Sequence, residues 1–248
     1  MNIILLTEAD RITGHTFAVT DHRAEHIHTV LQSRVGDTVE VGLLDGPFGT
    51  GKIEEVSTTL VRLKVTEWRE AARPSYEVDI ICAVPRPKTT KKVLAIAASM
   101  NARSLHFVRA NRTDKSYLES PLLQEPERLS YLYDGLSQGK FTRLPNVEVH
   151  PLFRPFVEDD VPSLFADRLK LVADPSGDKL TTIFSPSHQP GDVVIAIGPE
   201  GGWVPFELDL LVTTGFKPFQ LGPWTLRVEN ALVAALSQLA LVAAKESI

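Results

Sequence analysis

Two short stretches carry the residues most able to do chemistry. They are "IGPEGGW", Ile197 to Trp203, and "LGPWTLRVEN", Leu221 to Asn230. Each follows a run that reads as a strand, so each is a loop at a strand's carboxyl end, where open α/β sheets bind ligands. A third such loop, "DPSGD", follows "LVAD". None contains GxGxxG or the P-loop pattern. Pro199 removes an amide donor, and Glu200 places negative charge where a phosphate would sit. A phosphate cradle is therefore a poor reading. A carboxylate beside exposed backbone suits a ligand with a cationic centre and a flat heterocycle, and S-adenosylmethionine is one candidate of that chemistry. A structural turn built on a glycine pair explains the same residues.

These loops need a sheet to position them. From residue 73 onward, apolar runs such as "VDIICAVP", "SLHFVRA", "LKLVADPS" and "DVVIAIG" alternate with helical stretches such as "TTKKVLAIAASMN", "PERLSYLYDGLSQG" and "PFELDLLVTTG". Unbroken apolar strands separated by helices predict a mostly parallel sheet covered on both faces. "NVEVHPLF" and "PFQLG" read as further strands. The final helix, "VENALVAALSQLALVAAKES", places Leu232, Ala235, Leu236, Leu239 and Val242 on one stripe, and its alanines allow close helix packing, within the chain or between subunits.

Residues 1–72 have another rhythm. "TVEVGLL" and "LVRLKVTEW" alternate like half-buried strands, with one helix, "DHRAEHIHTVLQ", capped by Asp21. A small barrel is expected there, and an α/β domain over 73–248. The polar segment around Pro74 marks the boundary.

The composition, 43% hydrophobic and 23% charged over 248 residues, is that of an ordinary globular protein. No segment has the length and apolarity to cross a bilayer, so no membrane role and a cytoplasmic location are expected. Cys82, the single cysteine, excludes an intramolecular disulfide and reads as an inert core residue. A net charge of -5 argues against indiscriminate nucleic-acid binding, yet Arg86, Lys88, Lys91, Lys92, Arg103, Arg109, Arg112 and Lys115 form a local basic run against one acid, Asp114. His22, His26 and His28 suggest a metal by number only. On a helix His28 points away from the other two, and no metal is expected.

"IGPEGGW" and "LGPWTLRVENA", in that order, resemble the signature of the RsmE family of ribosomal RNA methyltransferases, within the SPOUT superfamily. "EHIHTVLQSRVGD", "RPKTTKKVLAIAASMNARSLHFVRANRTDKSY" and "LSQGKFTRLPNVEV" extend the resemblance over most of the chain. It implies a PUA-like N-terminal barrel that binds RNA, a C-terminal methyltransferase domain with a trefoil knot, and a homodimer. It implies S-adenosyl-L-methionine as cofactor and N3 of a uridine in small-subunit (16S) ribosomal RNA as target. By position, Gly198, Glu200 and Gly202 would form the first cofactor loop and Leu221, Gly222 and Leu226 the second, with Leu171 and Asp174 lining the same pocket.

Arg227 is the candidate for orienting the target base or stabilising its developing charge. Glu229 would orient Arg227 or accept the imide proton. Candidate RNA contacts are Arg23, Arg34, Arg86, Lys88, Lys92, Arg109, Arg112 and Arg143. Trp203 and Trp224, one in each loop, would stack on a base or cover the pocket. Two other functions fit the chain: the same chemistry on another RNA nucleotide, and an RNA-binding homologue without catalysis.

Overall fold

A computed structural model describes residues 2–70, 75–184 and 191–244. Contacts divide the chain into a first unit, 1–73 with 133–144, and a second, 74–132 with 145–248. The boundary expected near residue 72 lies outside the described residues.

The first unit contains β1 (Ile4–Leu6), β2 (Arg11–Thr13), β3 (Thr16–Val19), α1 (His22–Thr29), β4 (Thr38–Leu43), β5 (Phe48–Val56) and β6 (Val61–Arg69). Its strands form one sheet in the order β1-β4-β5-β6-β3-β2, antiparallel except where β1 meets β4. Alternation along β3, β5 and β6 sends Phe17, Val19, Ile53, Leu63 and Val65 inward. Ala24 and Ile27 of α1 close over them. Asp21 caps α1 by accepting the Arg23 N–H at 2.9 Å. The helix ends at Thr29, short of Gln32, whose φ of 50° is left-handed and cannot continue it.

The second unit holds β7 (Val78–Ala83), α2 (Pro87–Ser99), β8 (Ser104–Val108), the start of α3 (Glu127–Gly139), β9 (Asn146–His150), α4 (Phe153–Pro155), α5 (Val161–Leu164), β10 (Leu169–Asp178), α6 (Leu180–Ile183), β11 (Val193–Ile197), α7 (Pro205–Thr213), β12 (Lys217–Phe219) and α8 (Val228–Ala244). Its six strands are wholly parallel, ordered β12-β10-β11-β7-β8-β9. β7, β8 and β11 are buried at every residue, as strands covered on both faces must be. Ile81, Ala83, Val172, Val194 and Ala196 share one core with Trp203, Leu211 and Phe216. α8 packs on α2, α6 and β11, burying Leu232, Ala235, Leu236 and Leu239. No helix among the described residues is long and apolar enough to cross a membrane.

Two features differ from the sequence reading. Residues 133–144 belong to the first unit, where the Ser137 carbonyl accepts the N–H groups of Asn2 and Ile3 at 3.0 and 3.1 Å and Leu144 N–H reaches Asp45 Oδ1 at 2.8 Å. The division falls inside the continuous α3, where no change of composition marks it. The strand read through Phe153 stops at His150, and a helical stretch of α4, a π turn (Phe156–Asp160) and α5 follows. Phe153, Phe156, Val157 and Val161 are its buried face.

Asp79 on β7 is fully buried. Its carboxylate accepts from Arg103 Nε at 2.9 Å and from Ser104 Oγ, and pairs with Arg168 Nε at 2.8 Å. Removing one partner of a buried ion cluster strands the remaining charge. Asp79→Ala is expected to destabilise the protein by about 3–5 kcal/mol, read by denaturant unfolding.

Candidate active site

Parallel β10 and β11 deliver the loops after them to one side of the sheet, and the loop after β12 arrives beside them. Together they enclose a cleft of about 280 Å³, lined among others by Asp174, Gly198, Glu200, Gly202, Leu221, Gly222 and Leu226. Seven of the eight expected cofactor residues thus meet in one place. Leu171 does not. It is fully buried in β10, paired with Ile195 and Lys217, whereas Asp174 three residues on lies in the irregular stretch of β10 between its pairings at Ala173 and Asp178.

The loops are shaped by close approach. A Cβ on Gly198 would meet Trp203 Nε1 at 3.2 Å, so any larger residue would press on the indole. Gly222 has φ of 128° and would strike Trp224 at 2.5 Å. The two tryptophans differ in role. Trp203 is buried against Phe153, 5.6 Å between centroids, whereas Trp224 is 69% exposed. Trp203 Nε1 is a buried donor with no hydrogen-bond partner, and it belongs to the cleft lining. Such a donor is costly unless a ligand or water accepts it.

Asp174 and Glu200 are the charged residues of the lining, which includes no Lys or Arg. Carboxylates with no cation beside them, together with backbone groups, fit a compact ligand bearing positive charge. Asp174 also accepts the Ser176 N–H at 2.9 Å, which fixes its loop. Glu200 Oε1 accepts the Arg86 N–H at 3.3 Å, joining the loop after β11 to the start of α2.

Glu200 also borders a second, wider groove of about 720 Å³, lined by Arg86, Pro87, Lys88, Thr89, Lys92, Tyr117, Arg227 and Glu229. Here four cations face two carboxylates. Glu229 is buried and pairs with Lys92 Nζ at 2.9 Å. That hydrogen bond holds its carboxyl below the ordinary range, Arg227 adding to the effect. The sequence reading had Glu229 orienting Arg227 or accepting a proton. Its hydrogen-bonded partner is instead Lys92, and a carboxylate kept ionised in this way is a weak proton acceptor.

The other expected RNA contacts divide. Arg34 is exposed on the first unit. Arg109 lines a third groove with Lys115 and Arg154. Arg112 donates to the Gly201 carbonyl, bracing the first loop. Arg143 is partly buried in the first unit. Arg23 is committed to the fold: its guanidinium holds Asp10 at 2.7 Å and Asp21 at 2.8 Å and donates to the Leu5 carbonyl at 2.6 Å. Lys115, Tyr117 and Arg154 at the grooves were not anticipated as contacts, though Lys115 lay in the basic run. Cys82 is buried in β7, and burial pushes its thiol up and keeps it inert.

The family model for the RNA methyltransferase domain matches residues 72–240. Ribosomal RNA small subunit methyltransferase E of Treponema pallidum is 30% identical over 240 residues, 95% of this chain and 89% of that protein. The enzyme named Ribosomal RNA small subunit methyltransferase E 1 in Borreliella burgdorferi is 26% identical, covering 95% of each. Among solved structures, ribosomal RNA small subunit methyltransferase E of Neisseria gonorrhoeae bound to S-adenosyl methionine superposes with a TM-score of 0.75 at 20% identity, over 97% of this chain and 98% of that one.

Because the Glu229 carboxyl is lowered, its ion pair stabilises the fold above the unfolded value of about 4.3 and ceases to do so as pH falls through the folded value. Lys92→Met should therefore melt below the wild type at neutral pH, with the gap closing below about pH 4. Thermal unfolding across that range checks it. A gap that persists undiminished in acid would show that Lys92 does not act through the Glu229 charge.

Proposed function

This chain belongs to the RNA methyltransferase family, in company with the ribosomal RNA small subunit methyltransferases E, and from that membership we propose that it methylates N3 of a uridine in small-subunit (16S) ribosomal RNA, with S-adenosyl-L-methionine as donor. The observation that carries this reading is the division of charge at Glu200. On one side lies a cleft with carboxylates and no cation; on the other, a groove with Arg86, Lys88, Lys92 and Arg227. A sulfonium ligand suits the first and a phosphate backbone the second.

When bound, the cofactor supplies an electrophilic methyl group. The chain's residues must hold both reactants and favour loss of the imide proton. Asp174 and Glu200 provide the negative potential, Trp203 Nε1 a buried donor, and the glycine loops backbone groups for the adenine. Arg227, exposed on the groove, orients the base and stabilises the negative charge that grows on it as N3 loses its proton. Glu229 holds Lys92 at the same wall.

In this reading the first unit is a PUA-like RNA-binding barrel and the second a SPOUT domain whose chain is knotted, acting as a homodimer in the cytoplasm. The insertion of β11 between β10 and β7, followed by α8 packing back on β11 and α2, supports that topology. A second reading keeps fold and donor but moves the methyl group to another RNA nucleotide. Trp224 favours it, because an exposed indole on the cleft wall offers a stacking surface to any base.

Arg227→Ala is expected to slow methyl transfer by about 100-fold or more, the usual cost of losing a charge-stabilising donor, with cofactor affinity retained in calorimetric titration. A comparable loss of affinity would place Arg227 in the cofactor site instead. Mass-spectrometric mapping of 16S ribosomal RNA from a deletion strain should show N3-methyluridine lost. Its persistence, with another methylated nucleotide missing, selects the second reading.

A further inference from the structure

On the edge of the parallel sheet formed by β8 and β9, three side chains that the proposed reaction does not use converge. His106 on β8 sits in register with Glu148 on β9, and His150, two residues on, projects to the same face. His106 Nδ1 lies 3.1 Å from His150 Nε2 and 3.6 Å from Glu148 Oε2, and His150 Nε2 lies 3.8 Å from the same oxygen. All three ligand atoms fall within 4.8 Å of one another, and among the described residues no other trio of His, Cys, Asp or Glu does so. We propose that His106 Nδ1, His150 Nε2 and Glu148 form a binding site for a divalent transition-metal ion of the zinc class.

The spacing is that of a metal face. Ligands about 2.0–2.1 Å from a tetrahedral ion stand about 3.3 Å apart, within half an ångström of each separation here. Two imidazoles and a carboxylate are a recognised zinc donor set that leaves a fourth position open. The unused nitrogen of His106 is held as a ligating histidine requires. His106 Nε2 meets Ser104 Oγ at 3.0 Å, and that hydroxyl donates to the buried Asp79 carboxylate. His150 Nδ1 faces Asp160 at 4.0 Å. Phe156 stacks on His150 with centroids 3.8 Å apart, and Phe165 stands edge-on to His106, so both rings are fixed in apolar surroundings. His106 and His150 are largely buried while the Glu148 side chain is 44% exposed, which leaves an approach from solvent past the carboxylate. Burial holds both imidazoles below their ordinary range, in the neutral form a metal binds.

Without an ion, two ring nitrogens 3.1 Å apart must share one proton, and Glu148 accepts from at most one ring. A metal satisfies all three atoms at once. His22 and His26 line a groove of the first unit with Glu25 and Asp134, and they form the internal control.

The test uses the full chain, stripped with a chelator and titrated with Zn²⁺ alone and with Co²⁺ as a spectroscopic probe. One equivalent of Zn²⁺ should bind, and Co²⁺ should develop the visible absorption of a four- or five-coordinate site. His150→Gln and Glu148→Gln, both partly exposed and checked for folding by circular dichroism, should each weaken Zn²⁺ by about 100-fold, and Ser104→Ala by about 10-fold. His22→Gln with His26→Gln should change nothing. No uptake by the wild type overturns the proposal. So does uptake that survives His150→Gln and Glu148→Gln, or that is lost with His22 and His26.

Discussion

The active-site geometry depends on one constraint: the second unit's strands all run the same way. A parallel sheet cannot join neighbouring strands by tight hairpins, so every connection crosses a face and every strand's carboxyl end opens on one side. β11 lies between β10 and β7, and the loops after β10, β11 and β12 therefore crowd into one space. Three chain segments fit there only where side chains are missing or turned away. That is why Gly198 passes beneath Trp203 and why Gly222, at a φ open to glycine, passes beneath Trp224. The cleft is a consequence of crowding backbone, and its polar lining is correspondingly mainly backbone and two carboxylates, Asp174 and Glu200.

Glu200 turns this crowding into a division of labour. Its carboxylate accepts from the amide of Arg86, the residue that caps α2, so the glycine loop after β11 and the basic helix share one point. A negative charge is favourable at a helix N-terminus, where amides are unpaired. The contact therefore holds Arg86, Lys88 and Lys92 beside the cleft without placing a cation inside it. On the other wall, Glu229 draws Lys92 in across 137 residues of sequence, and both walls of the groove become fixed.

Much of this was legible in the sequence. Unbroken apolar runs gave the parallel strands, and the glycines and Glu200 marked the loops, because strand burial and turn chemistry are local properties. What was not legible depends on distant partners. The run "LVAD" does not reveal that Leu171 ends in the sheet and Asp174 in the cleft, since a strand buried on both faces has no alternation to read. Arg23 looked like a free cation until Asp10 came within 2.7 Å of it. The pairing of Glu229 with Lys92 follows from α8 packing on α2, and the meeting of His106 with His150 from strand register. One signal was present and passed over. Phe153, Phe156, Val157 and Val161 recur at helical spacing, although Phe153 reads as the end of the strand "NVEVHPLF".

The basic run from Arg86 to Lys115 shows how a fold assigns different work to like residues. In sequence it is one patch of charge on an acidic chain. In the structure Arg103 is drawn inward to Asp79, Arg112 braces Gly201, and Arg109 and Lys115 line one groove while Arg86, Lys88 and Lys92 line another. Charge is thus gathered locally in the grooves, and the net charge of -5 does not describe it. Arg86, Lys88 and Lys92 stand in the groove that Arg227 also lines. Phosphate contacts fix the register of a nucleic acid without reading its bases. On the proposed reading, a groove that grips the backbone with lysines and arginines beside Arg227 separates holding the RNA from selecting the base. On that reading selection falls to Arg227 and Trp224, on a loop that, like the loop of Glu200, borders both spaces.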